Sequence, residues 1–293
     1  MAPISLPAPT IFAPGVISAG SNDGAPTFSP DGRTLYFERS NGKMIGILES
    51  RKVGGRWLKP TLASFSGVYA DQQPAMSPDG RFMVYASGRV VGGKSVSHIY
   101  RVDWTGAGWS RPAELPPQLN FTARIYKPSV AANGDIYFMA DIVPGGPPKW
   151  RLFVSRRDAT GYAKAQPLAF SGPNDGDVDP FVAPDGSYLI FSSNSRSELK
   201  DGHEHLFMVA RQGSGWSAVR ALRYAGDDWG ADDGEAQVSR DGRSLYFTSG
   251  RVVPWVQPRS RARTAAAFER MELWDNSNSN VWRLPLVDQP QAG

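Results

Sequence analysis

Pro26-Thr27-Phe28-Ser29-Pro30-Asp31-Gly32-Arg33-Thr34-Leu35-Tyr36-Phe37 decides the fold, because its Asp-Gly pair stands between two short alternating apolar runs. A tight hairpin needs positive φ at its centre, which Asp-Gly and Asn-Gly tolerate. The phrase returns around Asp79-Gly80, Asn133-Gly134, Asp185-Gly186 and Asp241-Gly242, at intervals of 48, 54, 52 and 56 residues. Each copy predicts two antiparallel strands. The interval, somewhat above the roughly 40–45 residues of WD-type blades, reads as one four-stranded blade.

A third apolar run follows each hairpin: Ile45 to Leu48, His98 to Val102, Leu152 to Val154, His205 to Val209 and Val281 to Leu284. Four copies then add a Gly-rich turn, an aromatic (Trp57, Trp109, Tyr162, Trp216) and a fourth run ending near Phe65, Leu119, Phe170 or Tyr224. The fifth copy lacks this ending, and Thr10 to Ile17 near the N-terminus supplies a matching run. A ring closed by a strand from the other terminus leaves no sheet edge unpaired. The sequence therefore predicts an all-β, five-bladed β-propeller of four-stranded blades, closed by its N-terminal strand. Blades are expected at about residues 24–66, 72–119, 126–170, 178–224 and 234–286, the last completed by residues 10–17, in a single domain spanning residues 1–293.

Composition agrees. Hydrophobic residues make up 41% and charged residues 20%, with 31 Gly and 24 Pro, which suits an all-β protein with many turns. No apolar run approaches the roughly 20 residues of a spanning helix. A net charge of +4 over 293 residues forms no basic stripe, so nucleic acid is not an expected partner. Cysteine is absent, which removes disulfides, thiolate metal sites and Cys nucleophiles. The start, Met1-Ala2-Pro3-Ile4-Ser5-Leu6-Pro7, has no charged and apolar leader pattern and reads as a mature export product with a start codon added, a cytoplasmic start being the alternative.

The Ser-Pro-Asp-Gly phrase, the Ile-Tyr or Leu-Phe third strand and the Gly-x-Trp ending together resemble the TolB-like, WD-repeat-like propeller family of bacteria, from about Pro9 to Leu286. The resemblance implies the propeller fold and a periplasmic or secreted location. It says little of function, because these are turn and packing residues, and the family holds binding and scaffold proteins, peptidase propeller domains and sugar lyases. The chain departs from the family pattern where His98, Arg151, His205 and Asn280 replace the usual third-strand Asp, at Asn133, and where Arg240 replaces the Pro before Asp241.

With the Asp-Gly turns defining the bottom face, the loops entering the first strand gather at the top. There Asp23, Asp71, Asp177 and Asp233 recur three residues before each blade-opening Pro or Ala, and Asp179 and Glu235 one residue before it. Blade three interrupts the acids with Tyr126 and Lys127. Converging carboxylates can bind a cation, an amine or sugar hydroxyls, and Asp177, Asp179, Asp233 and Glu235 are the candidates for acid and base work. The competing role is structural, each Asp accepting backbone N–H bonds that tie blades together. A second column, Arg39, Arg89, Arg196 and Arg251, either holds an anionic ligand or neutralises the acids.

No metal site is expected. Asp175, Asp177 and Asp179 with His203 and His205 are the residues a divalent cation in the channel would call on, yet they lack the spacing of a calcium loop or a zinc motif. The aromatic column repeats at blade period, which favours packing between blades over sugar stacking.

One segment breaks the repeat: residues 252–279, with Trp255, Arg259, Arg261 and Arg263. Thr264 to Trp274 is expected as a short helix on the top face, with Phe268, Met271 and Trp274 along one side. Taken together, the sequence predicts a monomeric, non-catalytic binding or scaffold propeller of the bacterial envelope, holding a protein segment or glycan at the top. A glycosidase or lyase using the channel-mouth carboxylates is the alternative.

Overall fold

The computed structural model describes residues 2–143, 145–159, 161–196, 201–227, 230–254 and 256–286. Five small antiparallel sheets form the five-bladed propeller. In blade 1 the order from the axis outward is Asn22–Phe28, Thr34–Ser40, Ile45–Val53 and Thr61–Leu62, and the other blades repeat it. The outermost strands are short: Ala113–Glu114 and Gln166–Pro167 have two residues each and Arg220–Arg223 has four. Apolar residues of each hairpin and third strand, such as Phe37, Tyr85, Phe138, Phe191 and Phe247, are fully buried between neighbouring sheets.

Blade 5 (Asp233–Val238, Ser244–Ser249, Asn280–Pro285) is completed by Thr10–Ile11, antiparallel to its third strand with Ile11 opposite Trp282. Phe12 then packs on Phe28, Trp57 and Tyr246 at centroid distances of 6.3, 5.9 and 5.0 Å, and Ile17 is fully buried. The N-terminus goes further than expected, because Ile4–Ser5 adds a parallel strand outside Arg220–Arg223 in blade 4. A single strap thus covers two adjacent blades.

The aromatic column is packing between blades. Trp109 of blade 2 sits edge-on to Tyr36 and Phe65 of blade 1, and Trp216 of blade 4 edge-on to Tyr137 and Phe170 of blade 3.

The helix in the insertion runs Arg261–Met271, displaced by three residues from its expected bounds. Ser260 sets its start, its Oγ accepting the Arg263 N–H as an N-cap. The expected stripe of Phe268, Met271 and Trp274 does not form. The chain leaves the helix after Met271, Trp274 turns in to meet Trp282 edge-on at 5.5 Å, and Phe268 and Met271 stay exposed while Ala267 is the buried helical residue. Trp255 lies outside the described residues.

Candidate functional site at the upper channel mouth

Each inner strand carries a β-bulge at the same place, visible as a register shift against its hairpin partner. At these bulges Ala25, Gln73, Lys127, Asp179 and Glu235 adopt φ of 47°, 54°, 46°, 54° and 53°. Left-handed backbone is uncommon for non-glycine residues and costs about 1–3 kcal/mol at each position. Bulges re-aim side chains. Here the re-aimed residues form one ring around the axis.

The ring closes on itself through hydrogen bonds that all run one way, an acceptor in one blade taking the bulge N–H of the next. Gln73 Oε1 accepts from Lys127 N at 2.9 Å, Asp179 Oδ2 from Glu235 N at 3.2 Å, and Glu235 Oε2 from Ala25 N at 2.7 Å. Ala25 has no acceptor, so Glu38 of the second strand takes over and accepts from Gln73 N at 2.9 Å. Lys127 has only donors. Met139 fills that gap, its sulfur 3.5 Å from Asp179 N.

Room for two of these carboxylates comes from glycine in the following blade. A Cβ on Gly234 would lie 2.6 Å from Asp179 Oδ2, and one on Gly24 would lie 2.5 Å from Glu235 Oε2. Gly234→Ala is therefore expected to push Asp179 off the Glu235 amide and cost about 1–3 kcal/mol, the penalty of an unsatisfied buried donor. Urea denaturation would measure the loss, and faster hydrogen exchange at the Glu235 amide would locate it.

The ring is also the acidic centre of the molecule. Burial, then repulsion by Glu235, lifts the Asp179 carboxyl to about 7, with Lys127 pulling the other way. Glu38 is pushed well above the carboxylate range by burial and then by Glu235, again opposed by the Gln73 amide and Lys127. Glu204, just before the third strand of blade 4, rises to about 8 through burial and the charges of Asp179, Asp232 and Glu235. Asp179 and Glu235 thus join Glu38, Glu204, Gln73 and Lys127. The last-named Lys127 and the two bulge acids were expected near the mouth; Glu38, Glu204 and Gln73 were not.

The outer acids play a different part. Asp23 meets Arg39 Nε at 2.5 Å, Asp177 takes Arg196 Nε and Nη2 at 2.7 and 2.9 Å, and Asp233 takes Arg251 Nη2 at 2.6 Å. Burial raises the carboxyl pKa of all three, with the paired Arg opposing. Asp71 is held by Ser87 Oγ at 2.7 Å, Ser66 Oγ and Gly67 N, while Arg89 stacks between Tyr69 and Tyr100, 4.0 and 3.8 Å from their centroids. Blade 3 exchanges the charges: Arg124 precedes the inner strand and pairs with Asp141 on the second at 2.5 Å. Tyr126 packs edge-on against Trp150 at 5.7 Å.

The residues considered for a metal are held apart. Asp175 and Asp177 both bind Arg196, Asp179 belongs to the ring, His203 Nδ1 lies 3.3 Å from Asp232, and His205 Nε2 lies 3.0 Å from Asp201. Among the described residues no three His, Cys, Asp or Glu side chains converge to hold a metal ion. His98 bridges Glu114 at 2.6 Å and the Thr122 carbonyl at 3.1 Å.

No family model matches the sequence. No curated protein matches it either. Solved structures do share the fold. TolB from Acinetobacter baumannii superposes with a TM-score of 0.52 at 13% identity, over 92% of this chain and 55% of that one, so the chain spans little more than half its length. A thermostable family-43 glycoside hydrolase gives 0.55 at 13% identity over 92% and 91% of the two chains. The catalytic domain of a GH62 α-L-arabinofuranosidase from Coprinopsis cinerea gives 0.56 at 11% identity over 99% of both. At these identities the likeness is one of fold, and it joins a TolB-like propeller to sugar-cleaving ones.

Proposed function

We propose that this protein is a non-catalytic binding or scaffold propeller of the bacterial cell envelope, periplasmic or secreted, which holds a protein segment or a glycan at the upper channel mouth. The observation that carries this reading is how three of the four candidate catalytic carboxylates are committed. Asp177 and Asp233 have fully enclosed side chains neutralised by Arg196 and Arg251. Glu235 accepts from Ala25 N, Thr248 Oγ1 and Gln73 Nε2. Turning any of them toward a substrate would break a buried ion pair or, for Glu235, the bond that joins blade 5 to blade 1. Asp179 and Glu38 each spend one carboxylate oxygen on the next blade's bulge N–H, and with Glu204 and Lys127 they supply the polar groups for holding a ligand.

A second reading, a glycosidase, is favoured by one feature. Glu204, with its pKa near 8, is protonated at neutral pH, as a general acid must be.

Thermal-shift titration with cell-wall peptides and glycans, beside assays with aryl glycosides, separates the two. The binding reading expects a saturable rise in Tm and no glycoside turnover. For a cationic ligand the affinity should rise with pH through about 7 to 8, because Asp179 and Glu204 gain their charge only as they lose their protons. Turnover that vanishes in Glu204→Gln would replace this reading with the glycosidase.

A further inference from the structure

Below the ring, toward the Asp-Gly turns, the channel opens into a cavity of about 310 Å³ lined by all five blades. That is the small end of the range for ligand pockets. Its wall includes the residue two places after each bulge: Thr27, Ala75, Ser129, Phe181 and Gln237. Thr27 Oγ1 accepts Met76 N at 3.1 Å and Ser129 Oγ accepts Val182 N at 2.9 Å. Each hydroxyl has used acceptor capacity and keeps its proton to donate. Gln237 Nε2 spends one N–H on the Val238 carbonyl at 2.9 Å and has a second. The uncharged polar groups of the wall are therefore rich in donors.

At the lower mouth lies Arg240, where the sister blades have Pro30, Pro78, Ala132 and Pro184. Its Nη2 reaches from blade 5 to the Ser77 carbonyl of blade 2 at 3.0 Å, across the opening. Among the described residues no carboxylate lies within ion-pair distance of it. Burial lowers its pKa, with only Asp79 opposing from farther off. Asp185 and Asp241 stand in the chamber wall, and with Asp79 they are held by their own turns through Oδ1: Asp79 by Ser77 Oγ and Arg81 N, Asp185 by Ser187, and Asp241 by Ser239 Oγ and Arg243 N. A guanidinium with donors to spare, at the mouth of a chamber whose wall mixes hydroxyl and amide donors with apolar side chains, is a receptor for an anion.

We propose that this lower chamber is a second binding site, independent of the upper mouth, for a small monocarboxylate with a compact apolar body. Arg240 takes the carboxylate, and Met76, Val130 and Val182 take the body. The Arg in the fifth copy of the repeat is then a specificity residue rather than a lapse in the phrase.

Hexanoate is the probe, with hexanamide and hexylamine as controls of the same length, read by calorimetry and thermal shift at pH 7. Saturable binding of hexanoate is expected, at least tenfold tighter than hexanamide, with none for hexylamine. Arg240→Gln and Arg240→Pro, the latter restoring the residue of three sister blades, should each weaken hexanoate at least tenfold while the ligand-free Tm stays near that of the parent protein. Ala75→Leu, which fills part of the chamber, should weaken it as well. Absence of saturable hexanoate binding, hexanamide binding as tightly, or parental affinity in Arg240→Gln would each overturn the proposal.

Discussion

A chain lacking residues 1–18 is expected not to fold into a closed ring. The deletion removes Thr10–Ile11, the fourth strand of blade 5, and leaves the Asn280–Pro285 edge open. It also removes Ile17 and Phe12 from the seam between blades 5 and 1. Burying each such side chain stabilises by about 1.5–3 kcal/mol, and the three ring contacts of Phe12 add about 0.5–1.5 kcal/mol each. The sum is of the same order as the roughly 5–15 kcal/mol by which ordinary domains are stable. Ser18 contributes too, its Oγ donating to the Val281 carbonyl at 3.0 Å. The truncated protein should elute as aggregate, without a cooperative thermal transition, because an open hydrophobic edge pairs with other chains. Adding residues 1–18 back as a peptide should restore part of the transition. A truncated monomer with the parental Tm would mean that three strands suffice for the closing blade.

The second large effect is expected at Arg251. Its side chain is 1% exposed and that of Asp233 is 0%, so Arg251→Ala leaves a carboxylate enclosed without its cation. Breaking a buried pair in this way costs about 3–5 kcal/mol. The guanidinium also lies 5.2 Å from the Tyr224 ring, 5.1 Å from Phe247 and 5.4 Å from Trp282, and those contacts go with it. Arg39→Ala, at the same place in blade 1 but with a side chain 28% exposed, should cost much less. The deficit should depend on pH. Burial already holds the Asp233 carboxyl above its ordinary value, and removing Arg251 raises it further. An acid whose folded pKa exceeds its unfolded one binds its proton more tightly when folded, so stability falls as pH rises from the unfolded pKa through the folded one. The loss in Arg251→Ala should therefore be larger at pH 7 than near pH 4, where Asp233 protonates. Urea denaturation at several pH values measures it, and a deficit constant with pH would mean that packing alone is lost.

The ring of blades was legible because its turns are local: Asp-Gly between alternating runs needs no information from elsewhere in the chain. Closure by the N-terminal run was legible as well, from what the fifth copy lacked. The strand Ile4–Ser5 was not, since two residues carry no periodicity and its pairing with blade 4 is set by where the strap passes. The acidic and Arg columns could be read from repeat position, but Arg89 was placed with them although Tyr69 and Tyr100 claim it by stacking. The bulges were hidden for a deeper reason. Positive φ at Gln73 or Glu235 belongs to the bulge in each inner strand, and no local propensity of Gln or Glu announces it. Glu38 and Thr248 occupy the same inward place in the second strands of blades 1 and 5, so that column held a signal for Glu38, obscured by Ala86 and Met139 in the sister copies.

The one-way hydrogen bonds of the ring carry a consequence for descent. Five copies of one ancestral unit would be interchangeable, yet these five have acquired an order. Asp179 requires glycine at the start of the blade after it, Glu235 requires the same of blade 1, and Ala25 obliges its own blade to supply Glu38. Transposing two blades would set a carboxylate against a side chain with no room for it, or leave an amide facing Lys127 without Met139. Divergence at the axis has made the repeats into a sequence of keyed parts, so that substitutions there should be inherited as neighbouring pairs.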